Sequence, residues 1–473
     1  MNKRKVLLDN FIVYGLGGII AKIIPFIMLP IITRIFPNSS YYGINDVSNT
    51  IINLASYLAI FGMYDAMYRI YFENDEYEYR KSVCSTALLF VLCTSILIFV
   101  FMIINRTKLS NYFFSSEDYR NIIIISGISF FLYTISTIIS APTRMQNQKK
   151  VFVTINIISS IISYSISIFL LKKELYTIAL PMGTLISYLL SDIYFYIRNK
   201  EWFSISSCNK KIFIEMIKLA APSVPVFIAY WVFESESKLM VIKYLGLQYE
   251  GLYAVGAKFS SVSKIIYAAF SGGWQYFAYS TMKEKDQVGT NSKIFEYLLL
   301  LTCVSTIMLS NFSPLIYSIL FTKEYYIAYI VSPYLYIAPL LQMLFQIESN
   351  QLIIKKEVIP STIVLIISSL ICVLMCIVFI PVLNIEGAAL SVFLGYIIAC
   401  IWLLILLIKM KLFTISRKIV LSFILFVIYM LFWRLMLIKN IIVSTVFMII
   451  IIFLYFKMYK KEIVSVIKLD KEK

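Results

Sequence analysis

Long apolar runs and short polar connections alternate along the whole chain. Fourteen runs have the length a helix needs to cross about 30 Å of hydrocarbon, some 20 residues. They fall near residues 10–34, 42–65, 82–104, 121–143, 151–171, 175–197, 215–242, 250–279, 294–320, 326–352, 358–381, 385–408, 416–438 and 441–458. No connection is long enough to fold as a separate domain,. The stretch MNKRKVLLDN at the start carries no signal-cleavage pattern and leads straight into the first run,. The pattern predicts an all-α polytopic membrane protein of about 14 transmembrane helices.

Polar residues inside these runs are the informative exceptions, because an ionisable group in a membrane helix costs a few kcal/mol and usually faces a wet cavity. Lys22 lies within the first run, with Gly15, Gly18 and Pro25 on its face. In the second, Asp46, Asn49, Thr50 and Asn53 form one stripe, followed by Asp65 and Arg69. The fourth carries Tyr133, Thr137, Ser140 and Arg144, and the fifth Asn156, Ser159, Ser160, Ser163 and Ser167. Lys258 and Lys264 sit in the eighth. Gln342, Gln346, Ser349 and Asn350 sit in the tenth, with Glu348 nearby. Two readings stand for several of these. A Ser/Thr/Asn stripe serves equally as hydrogen-bond glue between helices. Arg69 and Arg144 sit near helix ends, where a long side chain can snorkel, and Asp46 lies close to the outer interface. Lys22, Lys258 and Lys264 are deeper. With few carboxylates in pairing register, they predict a cavity with surplus positive charge, suited to an anion and able to hold phosphate.

The seventh run contains WVFESESKLM (231–240). Glu234 and Lys238 are four apart in the favourable Glu-before-Lys order and predict a structural or gating pair on one face. Glu236 points away from that face. Lys258 or Lys264 on the next helix is its candidate partner, and it is the better candidate for proton or ion coupling. Pro222 and Pro225 loosen the helix just upstream.

Three pairs of segments recur in the same order at an offset of about 208 to 210 residues,. RIFPNSSYYGIN (34–45) matches KYLGLQYEGLY (243–253), each a basic helix end followed by a glycine turn. NIISSIIS (156–163) matches LIISSLIC (365–372), and YTIALPMGTLISY (176–188) matches EGAALSVFLGY (386–396). A duplicated six-helix unit follows: residues 1–200 and 201–411 form two pseudo-symmetric bundles, and 412–473 adds two helices and a basic tail. Six is even, so both copies share one orientation in the membrane, about a pseudo-two-fold along its normal.

Composition agrees. Hydrophobic residues make up 60% of 473 and charged residues 15%. Net charge is +17. With the N-terminus in the cytoplasm, roughly 29 Lys and Arg fall inside against roughly 10 outside, the asymmetry that sets orientation. Both termini are then cytoplasmic, and the surplus charge meets anionic lipid headgroups, not nucleic acid. The seven cysteines are scattered, and without any histidine they complete no zinc set,; all seven read as small apolar core residues. The same absence excludes a His-based acyl-transfer or acid–base mechanism, and large outer loops for glycosyl transfer are missing. Neither an enzyme nor a cofactor is expected.

The RIFPNSSYYGIN turn, the KYLG…EGLYAVGAK stretch (243–258) and NIEGAALSV (384–392) together resemble the polysaccharide-export branch of the multidrug/oligosaccharidyl-lipid/polysaccharide (MOP) transporter superfamily, over roughly residues 8–410,. The resemblance implies two six-helix bundles in a V around a central cationic cavity. The implied substrate is an O-antigen or capsule repeat unit on undecaprenyl pyrophosphate, flipped by alternating access across the bacterial cytoplasmic membrane. A polysaccharide polymerase and a chain-length regulator are the implied functional partners. Lys22, Lys258 and Lys264 match by location the basic residues of family cavities, with Arg69 and Arg144 added here. Relatives often carry Asp followed by a basic residue on the seventh span; Glu236-Ser237-Lys238 departs from that by one position. Coupling to H⁺ or Na⁺ would use Glu234, Glu236 or Asp46. The competing readings are a peptidoglycan-precursor flippase and a cation-coupled multidrug exporter.

Overall fold

A computed structural model describes residues 23–282, 284–355, 357–436 and 440–471. Lys22 lies outside the described residues. Every described regular element is helical. The chain runs through α1 (Ile23–Ile35), α2 (Ser40–Ile60), α3 (Met63–Tyr71), α4 (Tyr77–Ile104), α5 (Arg106–Phe114), α6 (Arg120–Ile139), α7 (Ala141–Met145), α8 (Lys149–Lys172) and α9 (Tyr176–Asn199). It continues through α10 (Lys210–Ala220), α11 (Val224–Leu245), α12 (Leu247–Ala257), α13 (Ser260–Ser280), α14 (Gln287–Leu320), α15 (Ser332–Ile354), α16 (Ile359–Leu383), α17 (Ile385–Lys409), α18 (Arg417–Leu435) and α19 (Ile441–Lys471).

Among the described residues, nine helices are long and apolar enough to cross a membrane, and three bent pairs raise the number to 12. The remaining two expected spans are also helical. α1 is the described part of the first, and the eighth is divided into α12 and α13 at Lys258 and Phe259. The bends have local causes. Between α2 and α3 the axis turns by 48°, where Phe61 and Gly62 both take positive φ, 51° and 74°; an L-residue there ends a right-handed helix. Between α10 and α11 it turns by 49° at the Ala221–Ser223 turn, where Pro222 withholds an N–H from the ladder. The repeat is visible in the helix starts: Tyr77 and Gln287, like Lys149 and Ile359, are 210 residues apart.

The outward surface is apolar. Leu97, Ile104, Leu374 and Val382 are 62 to 75% exposed, as suits a chain whose surrounding medium is lipid tail. Contacts between helices are made by small and hydroxyl residues. Ser48 and Ser126 share a hydrogen bond at 2.7 Å, as do Ser95 and Thr134 at 2.9 Å. In α8, Ser160 and Ser167 donate to carbonyls of their own helix, while Ser159 reaches Ser187 O on α9 at 3.4 Å. The fifth-span stripe is therefore used at least in part as glue. Five cysteines are buried as expected; Cys93 is exposed on α4 and Cys208 is half-buried. Cys93 departs from the core reading because lipid, too, is an apolar surrounding for a thiol.

By packing, the chain forms two compact units: residues 1–255 with 373–388, and 256–372 with 389–473. This boundary lies later than the 200/201 division drawn from the repeat. The 199–211 connection is tied to the first unit: Tyr77 OH donates to Glu201 O at 3.0 Å, and Ser204 N and Asn209 N donate to Ser85 and Thr86 hydroxyls, each at 3.0 Å. Trp202 packs on Tyr71 and Tyr77.

Helices α8 and α9 meet where Gly183 faces Ser163 and Ser167, and a Cβ there would overlap the Ser163 carbonyl and the Ser167 hydroxyl. Gly183→Leu is expected to destabilise the fold by about 1–3 kcal/mol through overpacking. The check is the melting temperature of the solubilised protein; an unchanged value would contradict this helix contact.

Candidate functional site: a polar seam between the repeated turns

The two copies of the repeated turn, 34–45 and 243–253, meet each other within the first unit. Ser39 Oγ donates to Gln248 O at 2.8 Å across a separation of 209 residues, which is the repeat offset itself. A Cβ on Gly43 would lie 2.6 Å from Leu247 O, and one on Gly251 would overlap the Ser39 carbonyl. Exchanging the copies exchanges the two contacts, so α2 and α12 cross on a local pseudo-two-fold, self-complementary in the manner of an isologous interface. Glycine is needed at both positions because backbone approaches backbone, the usual role of small residues between membrane helices.

Beside this crossing, α11 runs antiparallel to α2. Lys238 Nζ donates to Asp46 Oδ2 at 2.6 Å, with the two side chains 20% and 11% exposed. Trp231 Nε1 reaches Thr50 O at 3.5 Å, and Tyr57 stacks on Phe227 at 6.1 Å. Ser237 and Tyr253 share a hydrogen bond at 2.9 Å. Glu250 is fully buried next to Gly43.

The structure gives Lys238 a partner that helical spacing does not predict. Spacing points to Glu234; Lys238 makes an ion pair with Asp46, 192 residues away. Glu234 is exposed. Asp46 is buried to 8% exposure, and a buried carboxylate needs a counter-charge far more. Glu236 is half-buried, within electrostatic reach of Lys243 and of Tyr112 on α5. The expected partners Lys258 and Lys264 belong to the other unit.

The remaining expected residues are distributed. Asn49 is half-buried and Asn53 exposed on α2. Arg144 on α7 is held by aromatic groups: its Nη1 donates to Tyr64 OH at 2.6 Å, and its guanidinium lies 5.0 Å from the Phe152 ring centre. That fixed geometry favours a positioned cation over a snorkelling one. Arg69 is exposed at the end of α3. Tyr133 packs on Tyr188 at 5.4 Å. In the second unit, Lys258 stands half-buried in the break between α12 and α13, and Lys264 is half-buried in the first turns of α13. Gln346 Nε2 donates to Ser271 Oγ at 3.0 Å, and Asn350 is 4% exposed. Four buried acids among the described residues were not among the expected site residues: Glu250, Glu386 and the two that lie mid-run, Asp192 and Glu348. Asp192 on α9 is 7% exposed and Glu348 on α15 is 0% exposed; each was signalled only by being a lone acid in an apolar run. No group of three metal-ligating residues occurs among the described residues.

The seam lies inside a recognised sequence family. The model of the family described as polysaccharide biosynthesis protein matches residues 31–282. The chain belongs to that family. No curated protein matches it by sequence. Among solved structures, the fold of this polysaccharide biosynthesis protein is similar to the lipid II flippase MurJ in an inward closed conformation: TM-score 0.72, 15% identity, covering 96% of this chain and 100% of that one. It is also similar to a MOP superfamily transporter from Pyrococcus furiosus, with TM-score 0.59 and 13% identity over 86% of this chain and 95% of that one. A third is a mutant form of the Vibrio cholerae MATE transporter VcmN, with TM-score 0.59 and 13% identity over 88% and 98%. The chain is a multi-pass membrane protein of the polysaccharide biosynthesis protein family, with the fold of these transporters. The structural neighbours are described as flippases and transporters.

If the seam depends on charge pairing, Asp46→Asn or Lys238→Met removes one half of the ion pair, at a cost of about 3–5 kcal/mol. Either variant is expected to lower the melting temperature, and the exchanged pair Asp46→Lys with Lys238→Asp to restore part of it. Equal loss in the single and double variants would show that the ion pair does not hold the seam.

Proposed function

We propose that the protein flips oligosaccharide repeat units linked to undecaprenyl pyrophosphate across the bacterial cytoplasmic membrane by alternating access. The observation that carries this reading is the seam. Two copies of one duplicated unit close against each other through a hydroxyl, two glycines and an ion pair, beside an apolar cluster that includes Ile44, Val47, Leu239 and Ile242. In the orientation given by the positive-inside rule, both termini are cytoplasmic and the seam closes the outer side. Repeats 1–200 and 201–411 then act as the moving lobes, with 412–473 as an addition. A pyrophosphate and several sugars cannot cross about 30 Å of hydrocarbon unaided, because each unmet polar group costs several kcal/mol there. A hydrophilic path replaces that hydration while the lipid tail stays in the bilayer.

In this reading, Arg144, Lys258 and Lys264, with Arg69 and the undescribed Lys22, bind the pyrophosphate. Asn49, Asn53, Tyr133, Gln346 and Asn350 meet sugar hydroxyls, and Glu234 and Glu236 are coupling candidates alongside the Asp46–Lys238 gate. The polymerase and chain-length regulator act on the delivered unit. The Pyrococcus furiosus neighbour is described as having a binding pocket of reverse polarity that suggests a different function, a precedent for basic cavities outside drug export. Peptidoglycan-precursor transport is the second reading, favoured by the similarity to MurJ.

Reconstitution into liposomes with lipid-linked oligosaccharide, scored by access of the sugar to an impermeant lectin, tests both. Arg144→Ala and Lys258→Ala are each expected to slow transfer about tenfold or more, the loss of a charge-assisted contact of about 1.5–3 kcal/mol. Transfer of lipid II but not of the oligosaccharide carrier would move the assignment to the second reading. Undiminished transfer in both variants would remove the cationic site.

A further inference from the structure

Helices α14 and α15 face each other in the second unit. Along α14, Gln287, Asn291, Phe295 and Leu299 recur every four residues and are all buried. Along α15, Leu341, Leu344, Glu348 and Gln351 form the facing stripe, also buried. Gln287 Nε2 donates to Gln351 Oε1 at 3.1 Å, which fixes an antiparallel register. Counting back from that pair brings Asn291 level with Glu348, and Phe295 and Leu299 level with Leu344 and Leu341. Those four apolar residues and Glu348 line a cavity of about 180 Å³, completed by residues of α17 and α18.

The polar end of this cavity is unfinished. Both carboxyl oxygens of Glu348, both side-chain polar atoms of Asn291, and Nε2 of Gln351 are buried with no hydrogen-bond partner among the described residues. Glu348 is 0% exposed, and Asn291 and Gln351 are each 1% exposed. Buried polar atoms in native proteins are nearly always paired, so a cluster of orphans marks a missing small guest. An ionised carboxylate in that position is costly and a neutral acid much less so.

No counter-charge faces it among the described residues. From α17 the one titratable lining group is Cys400, whose Sγ donates to Leu341 O at 3.4 Å. The lining residues from α18 are apolar. On α14, Lys293 is exposed and Glu296 accepts from Ser416 Oγ at 2.7 Å. Lys418 pairs with Glu462, and Arg417 is exposed. Helix α13, which carries Lys264 and Tyr267, packs on α15 away from Glu348, where Gln346 donates to Ser271 and Phe270 packs against the cluster of Tyr336, Leu340 and Met343. The donor set also argues against a metal cation, which needs several oxygen ligands: one carboxylate and one free carboxamide oxygen are accompanied by two amide N–H groups. Those amides suit the other state. After proton loss, Asn291 Nδ2 and Gln351 Nε2 can donate to the carboxylate, directly or through a bound water.

We infer that Glu348, with Asn291 and Gln351, forms a buried proton-binding site in the second unit, loaded and emptied during transport. The site stands on its own geometry; its role in transport rests on the flippase reading. It adds an enclosed acid to the coupling candidates Asp46, Glu234 and Glu236.

The test uses dicyclohexylcarbodiimide on the purified full chain. A protonated carboxyl adds its oxygen to the carbodiimide carbon and passes its proton to a nitrogen; the O-acylisourea then rearranges to a stable N-acylurea, read as a mass gain on the peptide containing Glu348. Labelling is expected at Glu348, rising as pH falls, and absent in Glu348→Gln. Asn291→Leu removes donors that hold the ionised form and is expected to extend labelling to higher pH. No adduct at any pH overturns the site, as does suppression of labelling by Na⁺ at fixed pH, which would mean a metal-cation site. In proteoliposomes, an imposed pH gradient is expected to stimulate wild-type transfer and not that of Glu348→Gln, whose neutral side chain copies the protonated shape. Equal stimulation of both overturns the coupling role. Labelling with no transfer by the wild-type protein leaves the proton site standing and removes the flippase reading instead.

Discussion

A helix in hydrocarbon satisfies its own backbone and leaves every ionisable side chain to find a partner elsewhere. The described structure depends on that constraint. Asp46 on α2 carries a charge that its own helix does not neutralise, and Lys238 on α11 supplies the counter-charge at 2.6 Å. The partners sit on helices far apart in sequence, so neutralising the charge brings two repeats together. Arg144 meets the same demand with several groups: a hydrogen bond to Tyr64, the face of Phe152 and the Asp65 carboxylate within electrostatic reach,.

Duplication explains why the seam takes the form it does. A unit copied in one orientation meets its copy about an axis, and the residues nearest that axis must tolerate their own equivalents. Gly43 and Gly251 do so by having no side chain, and Ser39 does so by bonding the backbone of its counterpart. Larger residues would hold the helices apart and put the Asp46–Lys238 pair out of reach. The glycines and the ion pair are therefore one device, with steric permission at the axis and charge pairing beside it.

Helix existence and order were legible in the sequence because membrane spans must be long, apolar and closely spaced, and the expected runs all fall on helices or helix pairs among the described residues. The repeat was legible from three short segments because the turns that carry it are under backbone constraint. Partner choice was not. The i, i+4 rule identifies neighbours on one helix surface, so it could offer Lys238 only Glu234; the contact with Asp46 comes from tertiary packing,. Glu348 was visible as an acid in an apolar run, but its register against Asn291 depends on which helix packs on which face of α15. Packing boundaries were hidden for the same reason: a polar connection such as 199–211 reads as a linker until Tyr77 and Trp202 are seen to anchor it.

The two acids central to this architecture show how packing divides one residue type into two roles. Asp46 lies where two copies of a turn converge, and a lysine from the second copy arrives with them. In the proposed flippase reading, the pair forms when the seam closes and parts when it opens. Glu348 lies between helices of one unit, with amides and a thiol around it and no cation among the residues that line its cavity. Closure of the seam supplies nothing to it, and only a proton or a water can complete it. A charge neutralised across a moving contact and a charge neutralised inside a rigid one respond to different variables, position in the first case and proton activity in the second. Linking the two, so that the state of one biases the other, is the minimum a coupled carrier requires.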